Sequence, residues 1–316
     1  MDLGLGVSII DAMDLGKERR TGSYVLHAEQ LTIIETCASP SIRYILKGLK
    51  VLGIDPAEIK NIIVTHIHLD HAGGVGLLLE ICPHAKVIVH PRGKRHLADP
   101  TKLIKGAKAV YGARFDELFE PILPVPEDRL VVKEDGDTLQ IGENRVLTFF
   151  DTPGHANHHF SIHDSMSNGV FTGDTIGVYY PQLMEKGVEL CFPSTSPNQF
   201  DPDAMLQSLE KIKALAADRI YFGHYGMTTN PTHMYEQIEY WLALFMEESR
   251  RLYAETKEEP MIAKVETLFE SLYAKVVNDL AEKGISLNQE MEEIIQLDLR
   301  VGSMGIIDYL EKNKGK

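Results

Sequence analysis

Residues 61–65, Asn-Ile-Ile-Val-Thr, read as a buried strand because the apolar run is short and continuous. The strand opens directly into His66-Ile67-His68-Leu69-Asp70-His71, and Gly73-Gly74 follows. Three imidazoles and one carboxylate therefore fall within six positions of a loop at a strand end, where side chains can converge. Imidazole suits zinc and other borderline transition metals, while a carboxylate adds an oxygen ligand and offsets the cation's charge. A single loop cannot complete the coordination of two ions, so further ligands are expected from other strand ends. Three places have the required context. Thr152-Pro153-Gly154-His155 follows a strand ending at Phe150, Thr172-Gly173-Asp174 follows Val170-Phe171, and Gly223-His224 follows a strand over 220–222. In each, an apolar strand reaches glycine and then a ligand-type residue, and glycine lets the backbone turn closely round an ion.

Apolar or β-branched runs at 7–11, 23–27 and 31–35 predict further strands, the last two joined by a tight connection at 28–30. Ser39-Pro40 opens a helix, and Asp55-Pro56-Ala57-Glu58 has the form of a capping box. Strands are also predicted at 86–90, 138–141, 145–150, 160–162, 170–172 and 219–222. Short helices are expected through 91–122, and Asp201-Pro202 caps a helix running to the neighbourhood of Ala217. After Asn230-Pro231 the strand signals stop, and Met234, Ile238, Trp241, Phe245 and Leu252 fall at helical spacing. A second stripe from Ile262 to Leu280 ends at Gly284, and Ser286 with Gln289 predicts a capping box for a third helix.

Composition narrows the classes of partner. Lys and Arg total 32 against 46 Asp and Glu, a formal net charge of −14, opposite to the balance that neutralises phosphates. No nucleic-acid partner is expected. Residues 231–316 hold 17 acids and 10 bases, which is half of that net charge. The cysteines Cys37, Cys82 and Cys191 are odd in number and too widely spaced for a disulfide framework, which fits a reducing cytoplasm. An acidic start and the lack of any run of 18 apolar residues argue against export and membrane spanning.

These motifs resemble the metallo-β-lactamase superfamily, whose pattern is H-x-H-x-D-H followed by His, Asp and His on successive strand-end loops. The resemblance covers roughly residues 5–230 and points to the glyoxalase II and lactonase-like branch. It implies an α/β fold, the four-layer αββα sandwich, over 1–230, with a C-terminal helical extension over 231–316 packed on it or at a subunit interface. A homodimer through these helices is one arrangement this allows. The resemblance further implies that His66, His68 and His155 bind one metal, Asp70, His71 and His224 a second, and that Asp174 bridges them. Position 68 is His rather than the Glu of the flavodiiron branch, which favours hydrolysis. The bridging Asp174 is similar to glyoxalase II, lactonases and phosphodiesterases. Acyl-homoserine lactonases carry a tyrosine three residues after the bridging Asp, where this chain has Gly177.

The expected activity is a dinuclear metal-dependent hydrolase of a small carboxylic ester, lactone or thioester, with a metal-bridging hydroxide as nucleophile. Zinc is the first choice for both divalent ions, with manganese or iron as alternatives. Asp70 is expected to orient the nucleophile, and Tyr179, Tyr180 and Tyr225 are candidates to donate to the oxyanion, since each closely follows a ligand. The other readings are a mononuclear iron persulfide dioxygenase and a phosphodiesterase of the same fold. The aromatic and proline-rich stretch 175–200 is expected to wall the pocket of a small-molecule substrate. Cys191 reads as packing, His158 and His159 as neighbours of the ligands, and His27, His84, His90, His96, His163 and His233 as structural.

Overall fold

A computed structural model describes residues 1–314. Seven strands form the first sheet in chain order: β1 (Asp2–Gly4), β2 (Val7–Asp11), β3 (Gly22–Leu26), β4 (Thr32–Ile34), β5 (Asn61–Ile63), β6 (Lys86–Val89) and β7 (Leu130–Val132). Pairing is antiparallel to β4 and parallel beyond it, with Ile33 opposite Ile62 and Ile62 opposite Val87. The second half of the chain adds β8 (Thr138–Gly142), β9 (Arg145–Asp151), β10 (Phe160–Asp164), β11 (Gly169–Gly173), a short ribbon of β12 (Val178–Tyr179) and β13 (Cys191–Phe192), then β14 (Arg219–Phe222) and β15 (Met227–Thr228). Apart from the ribbon, these make a sheet ordered β15-β14-β11-β10-β9-β8, in which only β11 and β14 run parallel.

The period-two alternation of side chains decides how the sheets stack. Ile9, Tyr24, Leu26, Ile34 and Ile63 of the first sheet meet Leu147, Phe149, Phe160, Phe171 and Tyr221 of the second in one buried layer. The intervening Ile10, Val25, Ile33 and Ile62 face outward and are covered by α1 (Ile42–Val51) and, beyond the single turn α2 (Leu69–Ala72), by α3 (Val75–Ile81). Three short helices follow, α4 (Pro91–Ala98), α5 (Thr101–Tyr111) and α6 (Phe115–Phe119), and after them α7 (Pro181–Met184). The outer face of the second sheet buries Val170, Ile220 and Phe222 under α8 (Pro202–Lys213) and the start of α9 (Pro231–Glu255). The result is the four-layer αββα sandwich.

The helices α9, α10 (Met261–Glu282) and α11 (Gln289–Lys312) share one core with residues from 178–205. Trp241, Phe245, Leu272 and Leu299 pack there with Tyr180, Phe192 and Met205. Each such side chain, fully buried, is worth about 1.5–3 kcal/mol, so this cluster fastens α11 to the 178–205 stretch. No helix among the described residues is long and apolar enough to cross a membrane.

Several local expectations are corrected. The Asp55 capping box forms, but it closes only a 3-10 turn over Pro56–Glu58, because Ile59 is already extended toward β5. The helix after Asp201 ends at Lys213 rather than near Ala217, and Ala216 lies at φ 48°. Asn288, not Ser286, caps α11 by accepting from the Met291 N–H, which leaves Gln289 as the first helical residue and unable to close a box.

Candidate metal centre

All seven donors lie just beyond C-terminal strand ends. β5 delivers His66, His68, Asp70 and His71, β9 delivers His155, β11 Asp174 and β14 His224. Two glycines allow this crowding. Gly173 has φ 48°, and a Cβ there would lie 2.5 Å from both His159 Nε2 and Thr65 Oγ1. A Cβ on Gly223 would stand 2.8 Å from His71 Cε1.

The donor atoms form connected groups. His68 Nδ1 lies 3.1 Å from His66 Nε2 and 2.8 Å from His155 Nε2. His71 Nε2 is 3.1 Å from Asp174 Oδ1 and 3.6 Å from Asp70 Oδ2. His224 Nε2 is 3.5 Å from Asp174 Oδ1 and 3.8 Å from Asp70 Oδ2, while Asp174 Oδ2 sits 3.5 Å from His155 Nε2. Ligand atoms about 2.1 Å from one tetrahedral ion stand about 3.4 Å apart, so these spacings suit coordination. Asp174 turns one oxygen toward each group.

The hydrogen bonds behind the donors fix which nitrogens are bare. His71 Nδ1 faces Glu35 Oε2 at 2.9 Å, and His155 Nδ1 faces the Ser194 carbonyl at 3.0 Å, so both rings carry their proton on Nδ1 and aim an Nε2 lone pair inward. His71 Nε2 and Asp174 Oδ1 are buried without a hydrogen-bond partner. Two acceptors facing each other at that separation call for a cation between them, and the donor set fits a divalent metal.

Electrostatics divide the site. Burial, reinforced by neighbouring imidazoles, holds His66 and His68 well below the usual histidine range, and burial lowers His155 against the pull of Asp174, so this end stays neutral. At His71, burial opposes charge but Asp174, Asp70 and Glu35 outweigh it and raise the ring well above its usual value. Burial of Asp174 is likewise outweighed by His71, His224 and His155, which hold its carboxyl far down. That end favours a positive charge, from a proton or a metal ion.

A second layer steadies the donors. Glu35 also accepts the Thr65 N–H at 2.7 Å, tying β4 to the start of the ligand loop. His159 Nε2 accepts from the Asp174 N–H at 3.1 Å, and Ser194 Oγ donates to Asp174 Oδ2 at 2.9 Å. His158 lines the cavity, its pKa pushed down to about 2 by burial and then by His68 and His155.

The donors floor a cavity of about 300 Å³. One wall comes from Val178, Tyr180 and residues 192–199, as expected for the 175–200 stretch. The other walls were not anticipated: Leu103, Ala107 and Val110 of α5, and Leu297, Asp298 and Val301 of α11. His96, read from sequence as structural, also lines it. Beside His224, Arg20 is buried and gives Asp298 a hydrogen bond of 2.7 Å, with Asp14 3.2 Å from its Nε.

Of the three candidate tyrosines, Tyr180 reaches the cavity, and its hydroxyl donates to Asp298 Oδ2 at 2.9 Å. Tyr179 stacks on Phe222 with ring centroids 4.4 Å apart and turns its hydroxyl toward Glu189. Tyr225 packs between the sheets at φ 50°. Neither of these two lines the cavity. Glu35, Arg20 and Asp298 were missed. For Glu35 a signal existed, an acid at the end of a strand parallel to β5; Arg20 and Asp298 carry none.

A four-layer sandwich with His and Asp side chains gathered at one edge is a scaffold that can hold divalent metal. The family model for the Metallo-beta-lactamase superfamily matches residues 17–224, and the chain belongs to that superfamily. It is similar to the metallo-beta-lactamase fold-containing protein ST1585 of Sulfurisphaera tokodaii, 29% identical over 185 residues, which is 58% of this chain and 66% of that protein. The crystal structure of ST1585 from Sulfolobus tokodaii superposes with a TM-score of 0.67 at 21% identity, over 95% of this chain and 98% of that one. The metallo-beta-lactamase family protein TTHA1429 from Thermus thermophilus gives 0.67 at 17% identity, over 99% and 95%. An atrochrysone carboxyl ACP thioesterase of Aspergillus fumigatus is 27% identical over 180 residues, 57% of this chain and 42% of that protein.

Proposed function

We propose that this chain is a dinuclear metal-dependent hydrolase of a small carboxylic ester, lactone or thioester. The observation that carries the reading is the complete set of seven donors, with Asp174 turned toward both groups and its Oδ1 left without a hydrogen bond. Two divalent ions held there supply Lewis acidity toward the carbonyl and make water acidic enough to attack near neutral pH. His66, His68 and His155 would hold one ion and Asp70, His71 and His224 the other. Asp70, with 26% of its side chain exposed, is the carboxylate assigned in this reading to orient the nucleophile, which its partial exposure supports. Leu103, Val110, Leu297 and Val301 offer an apolar surface to the acyl part and exclude water from it. Of the three tyrosines, Tyr180 is the one this reading assigns to substrate contact, because it lines the cavity, through its ring or through the phenol oxygen whose O–H is given to Asp298. A relative named as a thioesterase supports acyl-sulfur substrates.

The test is metal analysis together with a screen of aryl esters, lactones, thioesters and phosphodiesters on metal-loaded protein, beside Asp174→Ala. Two ions per chain, turnover of a carboxylic substrate and its loss in the variant are expected. One iron per chain, with oxygen consumed on persulfide addition, would refute the reading.

A further inference from the structure

The metal cavity adjoins a second groove of about 540 Å³ that shares His96, His158 and Gln199 with it. The groove runs along α4 and is lined by Arg92, Lys94 and Arg95, with Glu127 the one acid on its walls. Lys102 borders the cavity itself. Residues 91–108 hold six Lys or Arg and a single Asp in a chain of net charge −14, so the basic character is local. Arg92 gives an N–H to the Asn157 carbonyl at 3.1 Å and Arg95 one to His96 Nε2 at 3.2 Å. Among the described residues no acid forms an ion pair with either of them, or with Lys94 or Lys102. At the junction, His96 is lowered by burial and then by Arg95 and Lys102, as a locally positive potential requires. Asp151 and Asp99 act on Arg92 and Lys102 only at longer range; cations without a close ion pair beside a reaction cavity attract anions, and the guanidinium fork matches phosphate oxygens. The cavity floored by the donors therefore has apolar walls from α5 and α11 and joins a basic groove at His96, His158 and Gln199.

We propose that the α4 groove binds a phosphate-bearing leaving group, so that the substrate is a thioester or ester of a phosphorylated thiol or alcohol with an apolar acyl part. This rests on the hydrolase reading above. For a thioester, the acyl C–S bond breaks, a C–O bond forms to the oxygen of water, the thiol leaves protonated, and the carboxylic acid formed releases one proton. No oxidant or reductant enters.

The test compares hexanoyl-coenzyme A with the uncharged hexanoyl-N-acetylcysteamine on the metal-loaded full chain. Beside it, the binding of adenosine 3′,5′-bisphosphate is followed by calorimetry. The ratio of kcat/KM is expected to favour the charged thioester by on the order of tenfold or more and to shrink with added salt. In Lys94→Ala/Arg95→Ala the ratio should collapse and bisphosphate binding should disappear. Equal kcat/KM for the two thioesters and no bisphosphate binding would overturn the subsite while leaving the hydrolase reading intact. If neither thioester is cleaved but the bisphosphate binds wild type and not the variant, the subsite stands and the hydrolase reading falls. Where rate ratio and isotherm disagree, the isotherm decides.

Discussion

Replacing Glu35 by Gln isolates the placement of one proton. Glu35 is 1% exposed, accepts from the Thr65 N–H at 2.7 Å through Oε1 and faces His71 Nδ1 at 2.9 Å through Oε2. Glutamine fills the same space but has one acceptor oxygen and two amide N–H donors. If that oxygen keeps Thr65, the amide N–H faces His71 Nδ1, which must then be the bare nitrogen. The ring proton moves to Nε2, the atom aimed at Asp174, and His71 can no longer ligate. If the oxygen turns to His71 instead, the Thr65 N–H is left buried and unpaired at the head of the ligand loop, at a cost of about 1–3 kcal/mol. Either outcome lowers metal affinity by about 10–100-fold. Competition against a chromophoric chelator measures it, and thermal unfolding of the metal-free protein confirms that the fold persists. The site containing His71 should weaken, and the one built from His66, His68 and His155 should change much less. Wild-type affinity at both sites would refute the argument that Glu35 sets the His71 tautomer.

Four further outcomes are expected. Arg145 and Asp164 form a bidentate pair 1% and 0% exposed, so Asp164→Ala strands a buried guanidinium and should cost about 3–5 kcal/mol, read as a lower urea midpoint at unchanged m. Gly173→Ala should lose metal binding and stability together, because its Cβ would meet His159 and Thr65 at 2.5 Å at a positive φ. Asp298→Ala leaves Arg20 with Asp14 as its remaining partner and the Tyr180 hydroxyl without its acceptor, and about 1–3 kcal/mol of destabilisation should accompany an altered KM for the substrate. Hydrogen bonds from Arg251, with Ser271 and Lys275 adding, pull the Glu248 carboxyl down to about 2 against its partial burial. A depressed carboxyl stabilises above its ordinary pKa and loses that stabilisation as pH falls toward 2, so Glu248→Gln should cost at most about 1 kcal/mol at pH 7 and nothing near pH 2.

Periodicity and donor chemistry made much of the architecture readable in advance. The alternation in β2 to β5 encodes two buried faces, which demands helices outside and a second sheet inside, as Tyr24 and Val25 show by facing opposite ways. The donors were readable because strand, glycine and ligand occur together in sequence. What stayed hidden depends on distances in space. Glu35 precedes the ligand loop by 30 residues and meets it only because β4 and β5 run parallel with Ile34 beside Ile63. Asp298 sits on a helix whose other acids are mostly solvated, and nothing local separates it from them before Arg20, 278 residues away, closes on it.

The charge balance shows the same limit from the other side. A net charge of −14 underlies the expectation of no nucleic-acid partner, but it averages over 316 residues, whereas a ligand responds to charges within about one Debye length, ~8–10 Å. Half of the excess lies at 231–316, and α11 brings Asp298 to the cavity already paired with Arg20. The cations of α4 are not neutralised in that way. Arg92, Lys94 and Arg95 outnumber Glu127 on the groove walls of a protein that is acidic as a whole, so charge bears on substrate choice only when counted element by element around the cavity.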